Sequence, residues 1–245
     1  MNIFTSALLG VIQGLTEFLP VSSSGHLVIV QSMIPGFSQP GVLFDVVLHA
    51  GTLSAIVYYF RKEIIKLKAK YIYYIVMGTL PVVVIGYLFR PLAETFFTNL
   101  RLVGVALMAT GVINLLIDRA WKKRGDLNEK KSLVVGIAQA FAIIPGISRS
   151  ASTIFAGIGM GMDRKKAAQY SFLLSIPAII GANILQYYFY GFSGVENIGF
   201  YMIGFLTSFI TGIFAIGLVL KLLVKKKFSY FAYYCFIVGV IVVFL

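Results

Sequence analysis

The sequence predicts an all-α polytopic membrane protein, with six transmembrane helices and two re-entrant helical hairpins in an inverted-topology repeat. Three observations carry that prediction. Hydrophobic residues make up 59% of the 245 and charged residues only 12%, with a mean hydropathy of +0.90, past the range of soluble domains. The apolar runs are near-continuous over about 20 residues, enough to cross roughly 30 Å of hydrocarbon, where barrel strands would alternate over about 10. Finally, all but three of the 21 Lys and Arg, the exceptions being Arg90, Arg101 and Arg149, fall in four short clusters: 61 to 70, 119 to 131, 164 to 166 and 221 to 227. Clusters of this kind mark cytoplasmic loops. They also give the net charge of +12 a topogenic meaning, facing anionic lipid rather than nucleic acid.

The first segment, residues 1 to 36, lacks the basic flank of a cleavable signal peptide and carries Glu17, so it reads as part of the mature fold. LPVSSSG breaks it at its centre, and the topology starts and ends it outside, as a hairpin. Spans follow at roughly 41 to 60, 71 to 89 and 100 to 118, closing a first unit over 1 to 118. The basic loop 119 to 131 leads to a second apolar segment, 132 to 160, flanked by basic clusters and interrupted by PGISRSAST, which therefore enters and returns. Spans at 167 to 189, 198 to 220 and 228 to 245 complete a second unit over 132 to 245. Irregular backbone at such depth is tolerated only where protein or a watery cavity satisfies it.

GVIQGLTEFLPVSSSGH, residues 10 to 26, aligns with GIAQAFAIIPGISRSAS, residues 136 to 152, once a one-residue gap is allowed. Each hairpin precedes three spans. A unit with an odd number of crossings, duplicated in tandem, inserts its second copy inverted, so that the broken helices meet near the midplane. One composite site built from both turns is expected.

An ionisable side chain in the bilayer costs at least about 2.5 kcal/mol on insertion scales, so each is a functional candidate. Here they are Glu17, His26, Asp45, His49 and Arg149. Gln13 and Glu17 share a helix face. Ser22, Ser23 and Ser24 follow Pro20 at the start of a helix, where free N–H groups and the dipole favour an anion. Gly25 admits close backbone approach, and His26 lies within a turn of Ser22 and Ser23. Ser148, Arg149 and Ser150 hold the matching place in the second hairpin, with Ser152 a further hydroxyl. Two helix N-termini, these hydroxyls and a guanidinium fork suit phosphate. Each residue also has a plainer reading: serines bonding their own helix, Gln13 as interhelical glue, His49 as packing, Asp45 as interfacial, and Glu17 paired with Arg149 for structure alone. Tyr73, Tyr74, Tyr187 and Tyr188 suit an interfacial belt. The lone Cys235 permits no intrachain disulfide, and two histidines are too few for a histidine-rich zinc site.

QGLTEFLPVSSSGHL together with PGISRSAST resembles the paired signature of the undecaprenyl-pyrophosphate phosphatases, the bacitracin-resistance family, over essentially the whole chain. The resemblance implies a bacterial inner-membrane, dimeric enzyme that removes the terminal phosphate of the C55 isoprenoid diphosphate and depends on a divalent cation, Mg²⁺ or Ca²⁺. Its site would open to the outer, periplasmic face. The family's acidic motif falls on Gln13 and Glu17, its serine and histidine on Ser23 and His26, and its phosphate-binding arginine on Arg149, with Ser148 and Thr153 alongside. Gln at position 13 leaves one carboxylate for the metal. Ser23 activated by His26, His26 itself, or a water are the candidate nucleophiles. Inverted repeats with broken helices equally mark transporters of phosphate or polyprenyl phosphate, or an anion channel; the cluster of Glu17, Ser23 and His26 favours an enzyme.

Overall fold

The breaks in the apolar pattern set the helix ends. The structure, a computed structural model, describes residues 2–35, 43–89, 95–119, 125–190 and 197–245. Asn2 caps α1 (Ile3–Phe18), accepting from the Thr5 amide at 2.8 Å, and Pro20 follows directly because it cannot continue a helix. Ser22 caps α2 (Ser23–Met33). After α3 (Leu43–Tyr59), the short α4 (Arg61–Ile65) opens the first basic cluster with Arg61 and Lys62, and α5 (Ala69–Leu88) and α6 (Leu100–Arg119) complete the first half. Asn128 caps α7 (Glu129–Phe141), Ser148 caps α8 (Arg149–Gly159), and α9 (Arg164–Tyr190), α10 (Ile198–Val224) and α11 (Ser229–Val243) follow. All regular structure among the described residues is helical.

Helices α5, α6, α9 and α10 are long and apolar enough to cross a membrane. The expected spans 41 to 60 and 228 to 245 appear as the shorter apolar helices α3 and α11, of 17 and 15 residues. Residues 41, 42, 90–94, 120–124 and 191–196, which include Arg90 and parts of three expected connections, lie outside the described residues.

Lipid tails are as apolar as leucine, so helices in a bilayer associate by close approach at small residues. Gly10 and Gly14 of α1 lie on Gly204, Thr207, Ser208 and Thr211 of α10, and Gly136 of α7 lies on Gly78 of α5. Gly104 of α6 and Gly239 of α11 each face the other's carbonyl, where an added Cβ would come within 2.7 Å. The large apolar side chains instead face outward: Met202, Leu206, Ile210, Phe214 and Leu218, one every four residues along α10, are all exposed. Helix α9 packs on α3, α5 and α8, and its Phe172 meets Phe18 edge to face at 5.6 Å, fixing the end of α1. Tyr74 corrects the expectation of a belt residue. It is buried in the core, its carbonyl accepting from the Ser132 and Tyr170 hydroxyls, because hydropathy does not say which face of a span meets protein.

Candidate active site

The two interrupted helices meet tip to tip. In the first, α1 stops ahead of Pro20 and the chain re-enters a helix at Ser23, with Ser22 at φ +70. In the second, α7 gives way to a turn in which Gly146 takes φ +98, and α8 begins at Arg149. Ser22 Oγ accepts from the amide of its own helix at Gly25 (3.4 Å) and from the Gly146 amide of the other turn (3.1 Å). A Cβ on Gly25 would stand 3.0 Å from the Gly146 Cα, so glycine there is what allows the contact. Ser150 Oγ donates to the Leu19 carbonyl at 3.4 Å.

The spans hold both tips in place. Thr110 of α6 donates to the Gly146 carbonyl (2.7 Å) and accepts from the Ser148 amide (2.9 Å). One turn further, Asn114 donates to the Pro20 carbonyl at 2.6 Å. These groups satisfy backbone that the breaks leave outside any helix.

Glu17 sits between the tips. Arg149 Nη2 donates to its Oε1 at 2.6 Å, while Ser23 Oγ (2.7 Å) and Gln13 Nε2 (3.1 Å) donate to Oε2. His49 Nε2 lies 3.9 Å from the same Oε2, with its Nδ1 on the Asp45 carbonyl at 2.7 Å. Glu17 is 8% exposed. A buried charge needs this set of donors, since an unpaired one is strongly disfavoured. Arg149 also reaches the Ser171 carbonyl at 3.4 Å through Nη1, and a guanidinium has five N–H donors in all to offer an incoming anion.

His26 does not meet Ser23. Its Nδ1 lies 2.7 Å from the Ser22 carbonyl and its Nε2 2.8 Å from the Tyr234 hydroxyl of α11. The remaining candidates serve the frame. Ser24 lies 3.4 Å from Ser22, oxygen to oxygen. Ser148 accepts from the Ala151 amide at 3.2 Å and pairs with Ser150. Thr153 bonds the Arg149 carbonyl at 2.8 Å and the Ser171 hydroxyl at 2.6 Å, steadying the turn that carries the guanidinium. Asp45 accepts from Gln31 at 2.9 Å.

Sequence reasoning named His49 as a candidate but weighed it as packing, and passed over Tyr234, Thr110, Asn114 and Ser171. For Asn114 a signal existed: an amide in an otherwise apolar span, one turn after Thr110, marks a face that meets polar backbone.

Among the described residues no three of His, Cys, Asp or Glu gather into a metal cluster. The donor set for a cation is the Glu17 carboxylate and Gln13 Oε1, a buried oxygen with no partner. Two oxygens fit a hard cation that takes its other ligands from substrate and water.

The family model described as bacitracin resistance protein BacA matches residues 6–241 of this chain. An undecaprenyl-diphosphatase of Syntrophotalea carbinolica is 38% identical over 255 residues, covering 98% of this chain and 97% of that protein. Undecaprenyl-diphosphatases of Halothermothrix orenii and Carboxydothermus hydrogenoformans are 40% and 39% identical, covering 100% and 98% of this chain and 98% and 96% of their own.

Proposed function

The chain belongs to the bacitracin resistance protein BacA family, and from that membership we infer that it is a membrane-embedded undecaprenyl-diphosphatase. It hydrolyses undecaprenyl diphosphate to undecaprenyl phosphate and inorganic phosphate. The product returns to cell-wall synthesis as lipid carrier, and consumption of the diphosphate confers resistance to bacitracin. The observation that carries this reading is Glu17, buried between the two turns and shared by Ser23 and by Arg149, 132 residues away. That cluster offers a guanidinium for phosphate, a hydroxyl and a carboxylate in one place.

The chemistry we propose follows the hydrogen bonds. Arg149 and the N-terminal amides of α2 and α8 bind the diphosphate and offset charge that grows in the transition state. Ser23 is favoured as the attacking group, because its hydroxyl already donates to Glu17 at 2.7 Å whereas both His26 nitrogens are engaged. A bond forms from Ser23 Oγ to the terminal phosphorus as its proton passes to Glu17. The bond to the bridging oxygen breaks, and its electron pair leaves with undecaprenyl phosphate. Water then attacks the phosphoserine with His26 taking its proton, the bond from phosphorus to Ser23 Oγ breaks, Ser23 recovers the proton held by Glu17, and inorganic phosphate leaves. Gln13 Oε1 and Glu17 would hold a Mg²⁺ or Ca²⁺, which when bound supplies further neutralisation of phosphate charge.

The membrane arrangement is part of the same proposal. Helix α1 packs back on α2 and α7 on α8, and the two breaks meet where the Gly146 amide donates to Ser22 Oγ, which supports re-entrant hairpins. Exchanging the halves 1–118 and 132–245 maps the α1–α10 contact onto α7–α5 and the α3–α10 contact onto α9–α5, which supports inverted repeats. The basic clusters then face the cytoplasm, the site opens to the outer face, and the C55 tail stays in lipid. A homodimer is proposed on family resemblance.

Phosphate release by purified protein in detergent, with and without chelator, tests the reading. Release from undecaprenyl diphosphate that stops on chelation is expected; uptake into liposomes with no release from any isoprenoid diphosphate would overturn it. Trapped phosphoenzyme mapped to Ser23 is the expected label, and none on any residue would favour direct attack by water.

A further inference from the structure

His26 is 7% exposed and held at both ring nitrogens. A carbonyl oxygen only accepts, so the 2.7 Å contact from Nδ1 to the Ser22 carbonyl places the proton of the neutral ring on Nδ1. Nε2 then carries the lone pair, and the Tyr234 hydroxyl donates to it at 2.8 Å from 208 residues away. The two rings also stack, their centroids 5.5 Å apart and their planes within 9°.

Tyr234 differs from its neighbours in α11. Tyr230 and Tyr233 are each 59% exposed, in keeping with a lipid-facing stripe. Tyr234 is 43% exposed and turns its hydroxyl inward. The adjacent Cys235 is buried with Sγ 3.9 Å from the Pro20 carbonyl, so α11 meets the first tip at two successive residues. The helix itself is anchored on α6 through Gly239 against Gly104 and Ala232 against Gly111.

We propose that Tyr234 is a positioning residue for the phosphatase reaction, holding the His26 ring by stacking and by the Nε2 hydrogen bond so that Nε2 is the nitrogen offered for proton transfer. Ser22 sets the tautomer and Tyr234 sets the ring plane. A neutral O–H···N bond of this kind can be exchanged for one to water or to a phosphate oxygen without turning the ring. The inference rests on the reading of His26 as the acid–base group of a diphosphatase.

Tyr234→Phe removes the hydroxyl and keeps the stack; Tyr234→Leu removes both. The protein has two histidines, so a sample labelled with ¹⁵N-histidine gives two rings, and His49→Gln assigns them. In Tyr234→Phe the His26 Nε2 resonance is expected to move toward that of an unbonded nitrogen while Nδ1 stays protonated. Its kcat on undecaprenyl diphosphate is expected to fall up to about tenfold, the worth of one hydrogen bond, with KM unchanged. Tyr234→Leu should fall further, and Tyr233→Phe should match the parent in kcat and spectrum. An unmoved Nε2 resonance, or a moved one with parental kcat, overturns the proposal. Absence of phosphate release by the parent protein would instead refute the diphosphatase reading, and the spectral comparison would still report whether Tyr234 holds the ring.

Discussion

The two helix tips share a scaffold and divide the chemistry. Ser22 and Ser148 are both N-caps, accepting from the amide three residues on, and Ser23 and Arg149 are both first residues of the helices that follow. Both of those first residues donate to Glu17, one to each carboxylate oxygen. The acid and the imidazole belong to the first tip alone, and the cation to the second. Counted from the two caps, Ser22 and Ser148, Ser23 takes the place of Arg149, His26 that of Ser152 and Glu17 that of Ile143. On the proposed reading a single site follows from this division, since neither tip by itself has both a charge to bind phosphate and a group to attack it.

Breaking the cross-tip pair has the largest expected effect. Arg149→Ala should lower kcat/KM by about 10² to 10³, the usual loss when one preorganised donor to a developing anion is removed. It should also destabilise the protein by about 3–5 kcal/mol, because it leaves the Glu17 carboxylate buried without its cation. The combined Glu17→Gln, Arg149→Met protein separates the two roles: its thermal midpoint in detergent should recover most of the loss while phosphate release stays near background. Recovery of turnover along with stability would mean that the pair is structural only.

Within the first tip, the sharpest contrast is between neighbouring hydroxyls. Ser23→Ala should lower kcat by at least about a hundredfold, whereas Ser24→Ala, whose hydroxyl reaches only Ser22 at 3.4 Å, should stay within about threefold. Equal losses would place the chemistry elsewhere in the turn.

The contrast between the tips extends to packing. Gly25 and Ala151 occupy equivalent places, but Gly25 lies on the opposing backbone at Gly146, whereas Ala151 is buried in the apolar core. Gly25→Ala is expected to cost about 1–3 kcal/mol by overpacking and to lower turnover by parting the tips. Ala151→Gly should cost about 1–2 kcal/mol through helix propensity and the loss of one buried methyl, with kcat close to parental. Thermal unfolding and initial rates on the two variants measure this directly.

These contrasts also locate what could be read in advance. The motif residues were legible because polar groups in an apolar run are costly enough to stand out, and the pairing of the tips followed from their alignment. The partners supplied by other spans were not. Tyr234 lies in an aromatic, apolar run where a hydroxyl carries no signal, and His49 approaches Glu17 only because α3 packs beside α1. Which helix neighbours which depends on small-residue faces such as Gly10 and Gly14 against α10, and hydropathy along one strand of sequence does not name the partner. The same blindness put Tyr74 at the interface when it is in the core.

The smallest expected effect separates two caps that look alike in sequence. Ser148 has an ordinary extended backbone, φ −77, and its hydroxyl caps α8, so Ser148→Ala should cost about 1 kcal/mol, the typical worth of a cap. Ser22 has φ +70, a region that L side chains enter at a cost, and its hydroxyl bonds both Gly25 and the opposing Gly146 amide. Ser22→Ala keeps the strain and loses both bonds, and should cost about 2 kcal/mol. Ser22→Gly loses the same bonds but adopts φ +70 freely, so it should be more stable than Ser22→Ala by roughly 1 kcal/mol. At position 148 glycine should keep only the smaller advantage over alanine that any helix cap gives it, a few tenths of a kcal/mol lost against about 1, because it relieves no strain there. If glycine is favoured over alanine by the same margin at both positions, the positive φ at Ser22 is not what distinguishes the tips, and the cross-tip bond to Gly146 alone must account for the difference.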